Sequence, residues 1–263
     1  MESERLLRLA LRAAYRGADV LRERFRRAQA IHRKGPNDLV TEADLAAEEV
    51  IVRTLRREFP GHAVIAEEGG TYAEGAEYRW LVDPLDGTVN FAHGVPLFAV
   101  SIACLRGEEP LVAAVLQPLT GELFCARAGA GAFRNGEPVR VSREERVGDG
   151  LLATGFPYDR EADWGPLTAR FLRCLRAARG IRRLGSAALD LCLVASGCFA
   201  GYWERSLQPW DTAAGVLIVR EAGGRVSDFH GRPFSLGKGE IAATNGRIHE
   251  ELLQLLEEET GDA

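Results

Sequence analysis

Between residues 78 and 141 the chain repeats one pattern, a short run of strand-forming, largely apolar residues followed by a break at Gly or Pro. The runs cover 78–83, 97–105, 111–117, 121–126 and 132–141. Such spacing predicts a broad, mainly antiparallel sheet. From about residue 150 the rhythm changes, with strand-like runs near 150–154, 181–184, 199–204, 224–228 and 240–243 separated by helical periodicity near 162–179, 186–197, 211–222 and 247–258. That alternation predicts an α/β half with a mixed sheet. Helices covering both sheets give a layered sandwich of α+β and α/β character.

The N-terminal segment adds two helices to this frame. Leu6 to Phe25 carries apolar residues at helical spacing, and Thr41 begins a second helix reaching about Phe59, with Thr41 as N-cap and Asp44 three residues on. The stretch Arg33-Lys34-Gly35-Pro36-Asn37-Asp38 between them reads as irregular. His62 to Ala66 reads as a strand ending in Glu67-Glu68-Gly69-Gly70. No internal repeat and no linker divides the chain, so residues 1–263 are expected to form one unit with halves of about 1–145 and 146–263.

Composition removes several function classes. A net charge of −5 and a pI near 5.7 argue against a general nucleic-acid binder, which needs a basic surplus. Residues 2–28 mix Arg and Glu at helical spacing, so neither a secretory signal nor a membrane anchor is expected. The five Cys are odd in number, lack zinc-site spacing and mostly lie in apolar runs. They read as buried, reduced thiols of a cytoplasmic protein. Lys34 and Lys238 are the only lysines in a chain that otherwise uses Arg, and a Lys is suited to a place that needs a compact point charge.

The chemistry concentrates at Asp83-Pro84-Leu85-Asp86-Gly87-Thr88, after the run Trp80-Leu81-Val82. Two carboxylates three positions apart, a Pro to stop the strand and a Gly-Thr pair to expose backbone N–H groups suit a divalent metal and a phosphate together. Alone, the motif also reads as a turn. Other acids stand where a metal cleft would draw them, each with a structural alternative. Glu67-Glu68 ends a strand or forms a solvated loop. Asp211, after Pro209-Trp210, begins a helix or complements its dipole. Asp44 belongs to a capping box with Thr41. Gly231 to Gly239 lacks the spacing and the final Ser/Thr of a nucleotide phosphate loop. His93 reads as a positioned loop histidine.

Taken together, these segments resemble the inositol monophosphatase family. Trp80 to Pro96 is similar to its first signature, and Trp210-Asp211-Thr212-Ala213-Ala214-Gly215 running to Glu221-Ala222-Gly223-Gly224 is similar to its second. Asp38 to Asp44, Glu67-Glu68, Gly185-Ser186-Ala187-Ala188 and Ala243-Thr244-Asn245-Gly246 match further in the family's order, over essentially the whole chain. The resemblance implies an αβαβα sandwich, usually homodimeric, and a Mg²⁺-dependent, lithium-sensitive phosphatase with two to three ions per site, with Mn²⁺ as an alternative divalent ion. It implies Glu67, Asp83 and the Leu85 carbonyl as ligands of a first metal, with Asp83, Asp86 and Asp211 holding a second.

For catalysis the resemblance implies direct attack by a metal-activated water, which Thr88 hydrogen-bonds while Asp44 orients Thr88. Gly87 and Thr88 N–H groups receive the phosphate, and Ala187, Glu204 and Asp211 contact the alcohol. Lys34 corresponds to a loop over the site, and Glu68 is a secondary candidate beside Glu67. The expected substrate is myo-inositol monophosphate or a similar polyol or sugar phosphate, with a broader enzyme that also hydrolyses fructose 1,6-bisphosphate as the nearest alternative. A binding role in transcription or RNA assemblies is the alternative of a different class, disfavoured by the full carboxylate set and the acidic balance.

Overall fold

The computed structural model describes residues 2–27, 31–33, 39–72, 75–157 and 163–257. Lys34 lies outside them. In chain order the elements are α1 (Glu2–Arg24), β1 (Ile31–Arg33), β2 (Leu39–Thr41), α2 (Glu42–Glu58), β3 (Ala63–Ala66), β4 (Gly70–Tyr72), β5 (Tyr78–Asp86), α3 (Thr88–Ala92), β6 (Ala99–Arg106), β7 (Glu109–Gln117), β8 (Glu122–Arg127), β9 (Ala132–Arg134) and β10 (Glu137–Pro138). The second half continues with β11 (Leu151–Thr154), α4 (Trp164–Ala177), β12 (Gly180–Arg182), α5 (Ala187–Ala195), β13 (Gly201–Arg205), α6 (Pro209–Glu221), β14 (Arg225–Ser227), β15 (Glu240–Thr244) and α7 (His249–Leu256).

Eight strands form the first sheet in the order β10-β9-β8-β7-β6-β5-β3-β4, antiparallel throughout except for the parallel pair β3–β5. Side chains alternate across it. Trp80, Val82, Val100, Ile102 and Cys104 point into one core with Leu6, Leu9 and Leu21 of α1 and Ile51 and Leu55 of α2. Leu81, Ala99, Ala103 and Leu105 point the other way, onto α5 and α6. The second sheet, β12-β11-β13-β15-β14, is mixed, with β11 parallel to both neighbours and β15 antiparallel to both of its own. Its inner face shares the α5–α6 core, and its outer face packs Leu152, Trp203 and Ala242 on Cys174 of α4 and Leu252 and Leu256 of α7. The layers are therefore α1/α2, sheet, α5/α6, sheet, α4/α7.

Three local expectations change. The run read at 132–141 is not one strand but two short ones, β9 and β10, paired antiparallel with each other. β5 does not stop before Pro84 but runs on to Asp86, its register slipping so that Asp83 opposes Ser101 and Asp86 opposes Ala99. Pro84 has no N–H for the ladder, and the strand accommodates it as a bulge instead of ending. The cysteines are all free, and Cys104, Cys174 and Cys192 are buried as expected, but Cys198 is exposed. The turn after α5 carries Cys198 outward past the apolar run that holds Cys192 in the core.

Candidate active site

The bulge sets the site's geometry. It places Asp83, Leu85 and Asp86 in sequence along the wall of a cleft of about 450 Å³, where Glu67, Thr88, Ala187, Glu204 and Asp211 also line the surface. Gly87 then turns the chain into α3 at φ 97°. A Cβ at Gly87 would sit 3.0 Å from the Leu97 carbonyl oxygen and 3.2 Å from that of Gly185, so both conformation and space demand glycine.

Asp83 is buried, and its Oδ1 accepts a 3.0 Å bond from the Leu85 N–H. Burial holds its carboxyl well above the ordinary range, and the charges of Glu67, Asp86 and Asp211 push it further. Asp86 is gripped by the start of α5, accepting from Ser186 Oγ at 2.5 Å, the Ala188 N–H at 2.7 Å and the Ala187 N–H at 3.2 Å. Burial lifts it to about 6 even though these bonds and Arg183 oppose the rise. Asp211 lies in the first turn of α6, where its Oδ2 accepts from the Gln208 N–H at 2.7 Å. Burial raises it well above the usual range, with the Asp86, Glu67 and Glu204 charges adding. The helix-start role and the cleft role of Asp211 thus coexist.

Asp44 also does two things at once. Its Oδ2 accepts from the Thr41 N–H at 2.8 Å and Thr41 Oγ1 at 2.5 Å, completing the capping box of α2. Its Oδ1 faces Thr88 Oγ1 at 3.1 Å, and that hydroxyl also lies 3.0 Å from the Leu85 carbonyl oxygen. With its proton directed at these two acceptors, Thr88 keeps lone pairs turned elsewhere.

The far end of the cleft holds Glu204. Tyr202 donates its hydroxyl to Glu204 Oε2 at 2.5 Å, and the carboxylate lies so close over Gly155 that a Cβ there would approach it to 2.0 Å. Burial brings Glu204 to about 7, against the pull of Tyr202 and Arg183. Arg183 lines the same end. Beneath it, the buried Asp190 carboxyl has no partner for Oδ1 among the described residues. Sequence reasoning singled out neither Arg183, Tyr202, Gly155 nor Asp190. Gly155 follows β11, Arg183 follows β12, Asp190 lies on α5 and Tyr202 on β13, so only the packing of these elements relates them, although the apolar frame around Asp190 in Ala187 to Ala195 was a readable signal of a buried acid.

Other candidates fall outside the cleft. Glu68 does not line it, and its N–H is held by Glu48 Oε2 at 2.8 Å. His93 is exposed and also absent from the lining. Lys238 pairs with Asp228 at 3.7 Å. Among the described residues, no three His, Cys, Asp or Glu side chains already stand at metal-bonding spacing. The donor set nevertheless suits a hard divalent cation, since Glu67, Asp83, Asp86 and Asp211 are oxygen donors whose mutual repulsion a cation would relieve.

Comparison with known proteins agrees with this geometry. The Inositol monophosphatase family model matches residues 2–260. An inositol-1-monophosphatase from Synechocystis sp. is 46% identical over 88% of this chain and 81% of its own. The Nus factor SuhB of Pseudomonas aeruginosa is 45% identical over 96% of each chain. The structure of an inositol monophosphatase from Anabaena (Nostoc) sp. superposes with a TM-score of 0.90 at 41% identity, covering 97% of this chain and 96% of that one. With its layers, its cleft and its whole length matched in this way, the chain belongs to the inositol monophosphatase family and is a phosphatase.

Proposed function

We propose that this phosphatase hydrolyses myo-inositol monophosphate or a similar small polyol phosphate, with Mg²⁺ held by Glu67, Asp83, Asp86, Asp211 and the Leu85 carbonyl. The observation that carries the reading is the convergence of Glu67, Asp83, Asp86 and Asp211 on one cleft, with Asp83 buried among them. Nothing in a metal-free fold rewards such crowding, and a divalent ion would. When bound, Mg²⁺ supplies charge neutralisation for the phosphate and acidifies a water enough for it to attack phosphorus.

The chain's own residues do the rest. Thr88, its proton committed to Asp44 and the Leu85 carbonyl, accepts a hydrogen from the attacking water and so aims it. Backbone N–H groups at Gly87 and Thr88 receive phosphate oxygens at the start of α3, where the missing side chain permits close approach. Glu204, steadied by Tyr202, accepts hydroxyls of the alcohol. Asp211 contributes on both sides, toward metal and toward alcohol.

We extend the reading to a cytoplasmic, lithium-sensitive homodimer, supported by the free thiols and the family resemblance. Among the described residues no helix is long and apolar enough to cross a membrane. The test is turnover with Mg²⁺ on inositol phosphates, fructose 1,6-bisphosphate, histidinol phosphate and 3′-phosphoadenosine phosphate. Fastest turnover on an inositol monophosphate supports the assignment. Silence on the whole panel sinks it, and a preference for the bisphosphate moves it to the broader enzyme.

A further inference from the structure

On the outer face of the molecule, α1 and α2 enclose a hollow of about 300 Å³ lined by Arg12, Arg16, Thr54, Arg57 and Glu58. Its lining therefore holds three guanidiniums and one carboxylate. That carboxylate is also oversubscribed, because Glu58 pairs with Arg12 and, at 3.3 Å, with Arg5 from outside the lining. Arg12 and then Arg5 hold Glu58 below its ordinary range, as expected for an anion with two cations on it. Among the described residues Arg16 is tethered only to a neutral group, its Nη1 donating to Thr54 Oγ1 at 3.1 Å. Thr54 spends its own proton on the Val50 carbonyl at 2.7 Å, leaving its oxygen to accept from Arg16. The Arg57 side chain has no hydrogen bond or ion pair among the described residues.

Arg12 and Arg16 stand one turn apart on α1 and Arg57 faces them from α2, an arrangement in which like charges repel. In a chain of net charge −5, the lining of this hollow carries a local surplus of positive charge, three Arg to one Glu. Guanidiniums present paired N–H donors that match the oxygens of phosphate, and several from different segments make a concave receptor for it.

We propose that this hollow binds a phosphate group, as inorganic phosphate or as a small phosphate monoester. It shares no lining residue with the catalytic cleft. Along α2, Arg57 lies about 20 Å from Asp44. The proposal stands apart from the hydrolytic reading, because it needs neither metal nor turnover.

The test is calorimetric titration of the full-length protein in low salt with EDTA, using inorganic phosphate and, separately, a sugar phosphate. Wild type should bind phosphate with a Kd on the order of 1 mM, as a few exposed charge pairs allow. Arg57→Ala and Arg16→Ala should each weaken it about fivefold, with unchanged thermal midpoint and unchanged turnover under Mg²⁺. A tighter sugar phosphate identifies the monoester as the ligand, and equal affinities identify free phosphate. Binding untouched by both variants, or no saturable binding in wild type, overturns the proposal. So does tighter binding of single-stranded RNA that grows with its length, which would make the groove a polyanion track.

Discussion

Asp44 links the stability of α2 to the chemistry of Thr88, and replacing it by Ala separates the two contributions. On the structural side, Asp44→Ala removes two acceptor bonds to Thr41 and leaves the Thr41 N–H, in a residue 1% exposed, without its partner. A lost cap is worth about 1–2 kcal/mol and an orphaned buried N–H about 1–3 kcal/mol. Against this stands relief of the buried carboxyl, which burial already raises above its ordinary pKa. A net loss of about 2 kcal/mol is expected. On the catalytic side, the Thr88 hydroxyl keeps only the Leu85 carbonyl to orient it, and misaligning one group in a phosphoryl-transfer site costs about a hundredfold in rate.

Two controls divide these effects. Thr41→Ala should lose the cap's share of stability with kcat within about threefold of wild type, since Thr41 touches α2 and not the cleft. Thr88→Ala should lose about a hundredfold in kcat with little change in stability or in metal affinity. Urea unfolding and steady-state kinetics at saturating Mg²⁺ read both quantities. Should Asp44→Ala unfold early yet turn over at the wild-type rate, the proposed line from cap to hydroxyl to water is wrong.

Three further outcomes follow from the same structure. Asp83→Asn should abolish turnover while leaving the metal-free protein at least as stable as wild type, because it removes a buried charge crowded by three others; near-normal turnover at saturating Mg²⁺ would refute the ligand assignment. Gly87→Ala should cost about 2–4 kcal/mol, from the positive φ and the two carbonyl contacts, and a melting curve matching wild type would show that the turn can relax. His249 is buried between Ser227 Oγ and Thr244 Oγ1, each at 2.9 Å, and burial lowers its pKa to about 4. The unfolded chain therefore binds this proton first as pH falls. His249 costs little above pH ~7 and takes away about 1 kcal/mol by pH ~5.5. The destabilisation caused by His249→Gln should shrink by that amount between those pH values, and a pH-independent difference would argue against a neutral buried imidazole.

Much of this architecture was legible from the chain because it repeats. β6, β7 and β8 lie within two residues of the runs read from apolar patterning, and α4 to α7 fall where helical periodicity put them. β1, β2 and β4 were not legible, since three residues display no period and, unlike the equally short β12 and β14, they lie outside the strand–helix alternation. The course of β5 through Pro84 was hidden because proline ordinarily ends a ladder, and only pairing with β6 absorbs it as a bulge. In the site, Asp83 and Asp86 stood out through their motif, whereas adjacent Glu67 and Glu68 differ only in which one β3 turns toward the cleft. Arg183, Tyr202 and Asp190 carry no local signal of their common surroundings. Their neighbourhood arises from contacts between elements far apart in sequence, which single-chain patterns do not encode.

The grip of α5 on Asp86 joins residues 100 positions apart. A nascent chain that has completed β5 therefore possesses the acidic motif but not the helix that holds it, and it cannot display a working cleft until the second half is made and docked. Catalytic competence in this protein is therefore expected late in folding, gated by long-range closure and not by the local motif. Recovery of turnover during refolding should lag recovery of helical signal, and a fragment ending before α5 should carry the signature residues without the activity they suggest.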